Sequence, residues 1–222
     1  MIKAVFFDLD GVFIDSETYD QKLNEQFLKE NNMKSSPDIF KIFIGASPNS
    51  SLDIWGEILS KVDPEDDVET FKDKFHEYHG KKRWNPDFSS ILFPHAHEVV
   101  ETLHKKGYLL ACCSSSALDY VERALDSFES RSYFDLIVSG RDLKHGKPDP
   151  DIYLFALGKF GLTAEEAVVI EDSYNGILSA KRAGIRVIAK IDHVFHMDQS
   201  KADAFVDDLS EIPSVIETMN QE

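Results

Sequence analysis

Apolar residues fall in two rhythms along this chain of 222 residues. Short unbroken runs form the first: "IKAVFF" (2–7), "YLLACC" (108–113), "DLIVS" (135–139), "AVVIE" (167–171), "RVIAK" (186–190) and "AFV" (204–206). They are continuous rather than alternating, the pattern of strands buried on both faces. Between most of them the spacing becomes helical. "HEVVETLHKKG" carries Val99, Val100 and Leu103 and stops at Gly107, and Leu118, Val121, Leu125 and Phe128 follow the next run. In "DPDIYLFALGKFG", Asp149 is the expected N-cap, Pro150 the first helical residue and Gly161 the stop. "YNGILSAKRAG" closes on Gly184, and "LSEIPSVIETM" reads as a last helix with Pro213 early in it. The alternation predicts an α/β fold: a Rossmann-like, doubly wound parallel sheet with helices on both faces.

One stretch breaks the alternation. Over 16–91 no strand pattern appears, and the apolar positions keep helical spacing: Tyr19, Leu23 and Phe27; Leu52, Trp55 and Leu59; Val68, Phe71, Phe75 and Tyr78. Asp63 and Pro64 offer a start for the last of these helices. The stretch leaves directly after the first strand and returns through "NPDFSS". The predicted organisation is a Rossmann-like core of residues 1–15 and 92–222, with a helical cap domain, 16–91, inserted into the first crossover.

Charge narrows the function classes. With 24 basic against 40 acidic residues, the formal net charge is −16. A surface that acidic repels phosphodiester backbones, so no nucleic-acid partner is expected, whereas a small anion can still be held by local cations. No apolar run approaches ~18 residues, and "MIKAVFFDLD" is neither a signal peptide nor a membrane span, so no membrane partner is expected. The two cysteines, Cys112 and Cys113, are adjacent on an expected strand and point to opposite faces, which makes them small buried hydrophobes rather than a disulfide. The expected compartment is the cytoplasm, and the expected state a monomer or weak homo-oligomer.

Candidate chemistry sits where the strand runs give out. "VFFDLDGVFIDS" (5–16) places Asp8 and Asp10 one residue apart, with Gly11 behind them. Two carboxylates near 4 Å repel by about 4 kcal/mol at an effective dielectric of 20. A divalent cation removes that penalty, and an oxygen-rich site suits Mg²⁺. Glu171 and Asp172, at the end of another strand, can complete its shell, while Ser114 ends the second core strand and Lys147 precedes a helix in "HGKPDP". Sheets of this kind bind ligands at the carboxyl ends of their strands, where these residues fall. Asp15 and Ser16 read as caps of the first inserted helix, and Ser115 and Ser116 as turn and cap residues. The pairs His76/His79, His95/His97 and His193/His196 read as solvated surface rather than metal ligands. "KKRW" (81–84) reads as a cationic helix end.

In order, the motifs are hhhhDxDGV, hhhhS, GKPDP and hhEDSxxG, where h is apolar. This set resembles the haloacid dehalogenase superfamily of aspartyl-phosphate-forming phosphatases, in the subgroup similar to β-phosphoglucomutase, over nearly the whole chain. The resemblance implies a Mg²⁺-dependent phosphatase acting on a small phosphorylated metabolite. By position, Asp8 is implied to be the nucleophile that becomes a phosphoaspartate, and Asp10 the general acid and then base, lending only its backbone carbonyl to the ion. Ser114 and Lys147 are implied to hold the transferring phosphoryl group, Asp172 to ligate the metal, and Glu171 to ligate it or stand just behind. Gly11 would let the chain turn beneath the site.

The alternative within the resemblance is a β-phosphoglucomutase-type phosphomutase. Such mutases carry a His soon after the first motif and an Arg after a Gly-x-Ser turn. Here Asp20 and Pro48, the latter after Gly45 and Ser47, stand at those places, which favours hydrolysis. Lys74 matches a lysine the mutases use. His95, in "FPHAHE", stands where the family usually has glycine. A non-enzymatic receiver module is the third reading, but it needs neither an acid at Asp10 nor the helical insertion.

Overall fold

A computed structural model of the chain describes residues 1–34, 52–62, 66–83 and 85–221. The chain divides into two compact units, Met1–Asp15 with Phe88–Glu222, and Ser16–Asp87. It rejoins the first unit at Phe88 rather than at 92, because Phe88 is buried in that unit's core and Asp15 N–H donates to the Ile91 carbonyl at 2.7 Å.

The first unit is a six-stranded parallel sheet. Its strands are β1 (Ala4–Phe7), β2 (Leu109–Ser114), β3 (Leu136–Ser139), β4 (Ala167–Glu171), β5 (Arg186–Lys190) and β6 (Ala204–Val206), in the order β3-β2-β1-β4-β5-β6. The predicted sheet and its doubly wound form are therefore present. The central strands are covered on both faces, which is why their sequences run apolar without a break. Cys112 packs into the core on one side of the sheet and Cys113 into the core on the other, and burial pushes both thiols up, Cys113 to about 12. Winding reverses on either side of β1, so the crevice at the carboxyl ends of β1 and β4 is the ligand position for such a sheet.

The helices of this unit are Ala96–Lys105, Leu118–Ser127, Asp151–Phe160, Tyr174–Arg182 and Ile212–Met219. Helix Asp151–Phe160 starts one residue later than expected. Pro150 is its N-cap, its carbonyl accepting from Tyr153 and Leu154, while the Asp149 carbonyl accepts from the Ser179 hydroxyl. Leu118–Ser127 has Ala117 as N-cap and no side-chain cap bond, so Ser116 is not the cap it resembled.

The second unit holds helices Ser16–Glu30, Leu52–Val62 and Val68–Lys82. Their core is largely aromatic: Phe27, Trp55, Phe71 and Phe75, with Leu28, Ile58 and Val62. Val68–Lys82 starts behind Asp67, whose carboxylate accepts from the Glu69 and Thr70 amides. The expected start at Asp63 and Pro64 lies outside the described residues, as do Gly45, Ser47, Pro48 and Trp84.

His79 corrects the surface reading of the histidines. It is buried, stacked on Phe75 at 3.8 Å between centroids, with Nδ1 2.9 Å from the Phe75 carbonyl and Nε2 2.7 Å from the Asn24 amide. Burial lowers its pKa to about 4, so the ring is neutral; Nδ1 donates to the Phe75 carbonyl, and Nε2 faces Asn24 Oδ1. Among the described residues no helix is long and apolar enough to cross a membrane.

Candidate active site

Strand β1 delivers Asp8, whose own amide is tied to β4 through the Ile170 carbonyl at 3.0 Å. Strand β4 ends in Glu171 and leads into Asp172. The three acids are buried, and each offers a carboxylate oxygen within 4.8 Å of the other two. Chain geometry enforces this crowding. Gly11 turns with φ +74°, and a Cβ there would lie 1.9 Å from Asp172 Oδ2. The last glycine of hhEDSxxG has the same purpose, since a Cβ on Gly176 would overlap the Glu171 carboxylate.

Lys147 reaches into the cluster from its loop. Its Nζ donates to Asp8 Oδ1 at 2.7 Å, to Glu171 Oε1 at 2.7 Å and to the Cys113 carbonyl at 3.0 Å. Burial opposes its charge, but the Asp8 and Glu171 carboxylates outweigh that and hold the ammonium well above its usual range. For Asp8 the balance goes the other way: burial, with Glu171 and Asp10 adding to it, pushes the carboxyl to about 8 against the pull of Lys147. Even with Lys147 bonded to it, and with Lys190 close enough to act on Asp172, the Asp8 carboxyl stays far above the usual carboxylate range. An all-oxygen donor set of this kind fits a hard divalent cation.

Glu171 is already engaged. Its Oε1 accepts from Lys147 and from the Tyr153 hydroxyl at 3.0 Å, and its Oε2 from the Asp172 amide, the Ser173 amide and the Ser173 hydroxyl. Tyr153 has no motif of its own. The available signal is only that it shares a buried helical stripe with Ile152, Ala156 and Leu157.

Asp10 lies outside the three-acid group. Its Oδ2 accepts from the Ser116 hydroxyl at 2.8 Å and faces the Ser114 hydroxyl at 3.5 Å. Ser116 is itself set by β2 and β3: its amide donates to Ser114 Oγ at 3.0 Å, and its carbonyl accepts from the buried Ser139 hydroxyl at 2.9 Å. The turn residue of the sequence reading therefore holds the candidate acid. Its signal was the serine run at a strand's carboxyl end.

The other residues singled out have partners of their own. His95 adopts φ +62° at the N-cap of Ala96–Lys105, which explains why glycine suits that place; here Asp208 holds the ring at 2.7 Å from Nδ1. In the helical unit, Asp20 pairs with Arg83 at 2.7 Å and Lys74 with Asp66 at 2.6 Å.

Comparison with known proteins decides the family. The family model described as haloacid dehalogenase-like hydrolase matches residues 5–190. The chain belongs to this family. Among haloacid dehalogenase-like relatives, a phosphorylated carbohydrates phosphatase from Thermotoga maritima is 32% identical over 194 residues, 86% of this chain and 86% of that protein. A phosphoglycolate phosphatase from Pasteurella multocida is 27% identical over 223 residues, 97% of this chain and 98% of the relative. The crystal structure of a β-phosphoglucomutase from Clostridium difficile shares the fold with a TM-score of 0.73 at 20% identity, covering 100% of this chain and 98% of that one. The expected family, fold and phosphohydrolase class agree with these findings.

Proposed function

We propose that this haloacid dehalogenase-like hydrolase is a Mg²⁺-dependent phosphatase that cleaves a small phosphate monoester through a phosphoaspartate on Asp8. The observation that supports this most is the buried trio Asp8, Glu171 and Asp172 with Lys147 bonded to two of its members. The ion would be held by the Asp8 and Asp172 carboxylates and the Asp10 carbonyl. Glu171, its lone pairs engaged by five donors, would brace Lys147 and the start of the next helix from behind. Bound there, the ion would keep Asp8 ionised and offset charge on the transferring group.

The residues divide the remaining work. An Asp8 carboxylate oxygen attacks phosphorus as the bond to the leaving oxygen breaks, and Asp10 gives that oxygen its proton. Asp10, then a carboxylate, takes a proton from the water that attacks the phosphoaspartate, which releases phosphate and restores Asp8. Ser114 and Lys147 hold the phosphoryl oxygens by hydroxyl and point charge. Ser116 keeps the Asp10 carboxyl facing the Ser114 side of the site.

Sugar phosphates head the candidate substrates, supported by the relative named for phosphorylated carbohydrates. The test is a panel of phosphate monoesters with Mg²⁺, read for free phosphate, with β-glucose 1-phosphate plus a bisphosphate primer read for isomer. Mg²⁺-dependent phosphate release that stops on chelation is the expected result. Isomer without phosphate would establish the mutase alternative, and turnover unchanged by chelation would remove the metal from the reading.

A further inference from the structure

Between β5 and β6 a loop carries Gln199, a buried side chain far in sequence from every motif. Its Nε2 donates to two carbonyls, Asp172 O at 2.6 Å and Lys190 O at 2.7 Å, and its Oε1 accepts from the Asp192 amide at 3.3 Å. The position of this bridge gives it meaning. Glu171 pairs with Ala189 in the β4–β5 ladder, so Asp172 and Lys190 are the first residues beyond that pair. Gln199 supplies a rung there that the backbone does not. The loop is folded back on itself as well, with the Asp192 carboxylate accepting from the Val194, Phe195 and Met197 amides.

We propose that Gln199 is a positioning residue of the cation centre: by bridging the Asp172 and Lys190 carbonyls it fixes the direction in which Asp172 presents its carboxylate. The proposal rests on the divalent-ion reading given under Proposed function. The Asp172 carboxylate is already limited on one side by Gly11, and a peptide plane free to rotate at Asp172 would swing the side chain against that wall or away from Asp8. Holding the carbonyl removes that freedom before an ion arrives. Groups that orient ligands without touching the metal commonly change its affinity by about 10–100-fold.

The probe is Mn²⁺, whose free aqua ion gives an electron paramagnetic resonance signal that disappears on binding. Full-length wild type and Gln199→Met are titrated with Mn²⁺, and the melting temperature of each is measured without metal. Methionine keeps the length and apolar stem of the side chain but donates nothing. The expected result is a Mn²⁺ dissociation constant raised about tenfold in Gln199→Met. An affinity equal to wild type, even with a lowered melting temperature, overturns the proposal and leaves Gln199 a prop of its loop. If wild type itself takes up no Mn²⁺, the ion reading fails instead, which separates the two claims. Should Gln199→Met not fold, hydrogen exchange on wild type decides: Mn²⁺ must slow exchange across 191–203, since coupling between the bridge and the ion is reciprocal. Unchanged exchange there overturns the proposal.

Discussion

The sheet unit and the helical unit bury their polar groups in opposite ways. At the carboxyl ends of β1 and β4, acids stand against one another and draw donors from several elements: Glu171 is fully buried and accepts from Lys147, Tyr153, Asp172 and Ser173. In the helical unit the buried Asn24 and His79 side chains partner each other, and charges form surface pairs such as Arg83–Asp20 and Lys74–Asp66. Parallel strands explain the difference. Strands β1 and β4 are each locked by ladders on both sides, so their last residues are aimed at fixed points and charge can be forced to converge there. A helix presents a stripe, and its apolar side is satisfied by rings that need no counter-charge.

The largest effect is expected at the proposed nucleophile of the sheet unit. Asp8→Asn should reduce phosphate release on the order of 10⁴-fold. Its melting temperature without metal should be no lower than wild type, because a buried, repelled carboxylate has been removed. A large loss of stability would mean that Asp8 holds the fold rather than the chemistry.

Next comes the aromatic core. Phe75→Ala should cost about 3–5 kcal/mol in denaturant unfolding, because it opens a cavity between Phe27, Trp55 and Phe71. Mn²⁺ binding should survive at denaturant levels where the helices have already melted. Simultaneous loss of helices and metal binding would erase the contrast between the units.

The smallest effect is the pH response of His79. Its folded pKa of about 4 lies below the ordinary value, so the unfolded chain binds the proton more readily. The stabilisation is complete above about pH 6.5 and is lost as pH falls towards about 4, amounting to about 2 kcal/mol between pH 7 and 5. Urea midpoints measured across that range should show the slope, and His79→Leu should flatten it. A slope that persists in the variant would assign the titration elsewhere.

What the sequence disclosed follows the same division. The six strands are short apolar runs whose ends carry Asp8, Ser114, Glu171 and Asp172, so the sheet and the acids at its rim are legible from local pattern alone. Partners that meet through space are not. Tyr153 reaches Glu171 from a helix, Ser116 reaches Asp10 from another strand's turn, and Gln199 reaches Asp172 from a distant loop. No spacing rule connects these pairs. His79 is different, because it follows Phe71 and Phe75 at four-residue steps, and that stripe already marks it as core. His95 is legible only as a residue out of place, and its left-handed backbone supplies the reason.

The two points where the helical segment departs and returns are stitched side by side in the sheet unit: Ile14 bridges Leu92, and the Asp15 amide meets the Ile91 carbonyl at 2.7 Å. The segment is thus a side branch whose stem is closed within the sheet unit itself. Because closure cost grows only slowly with loop length, a longer or shorter branch can be grafted on that stem while every strand keeps its neighbour. The acids at the rim and the helices of the branch are free to evolve at different speeds.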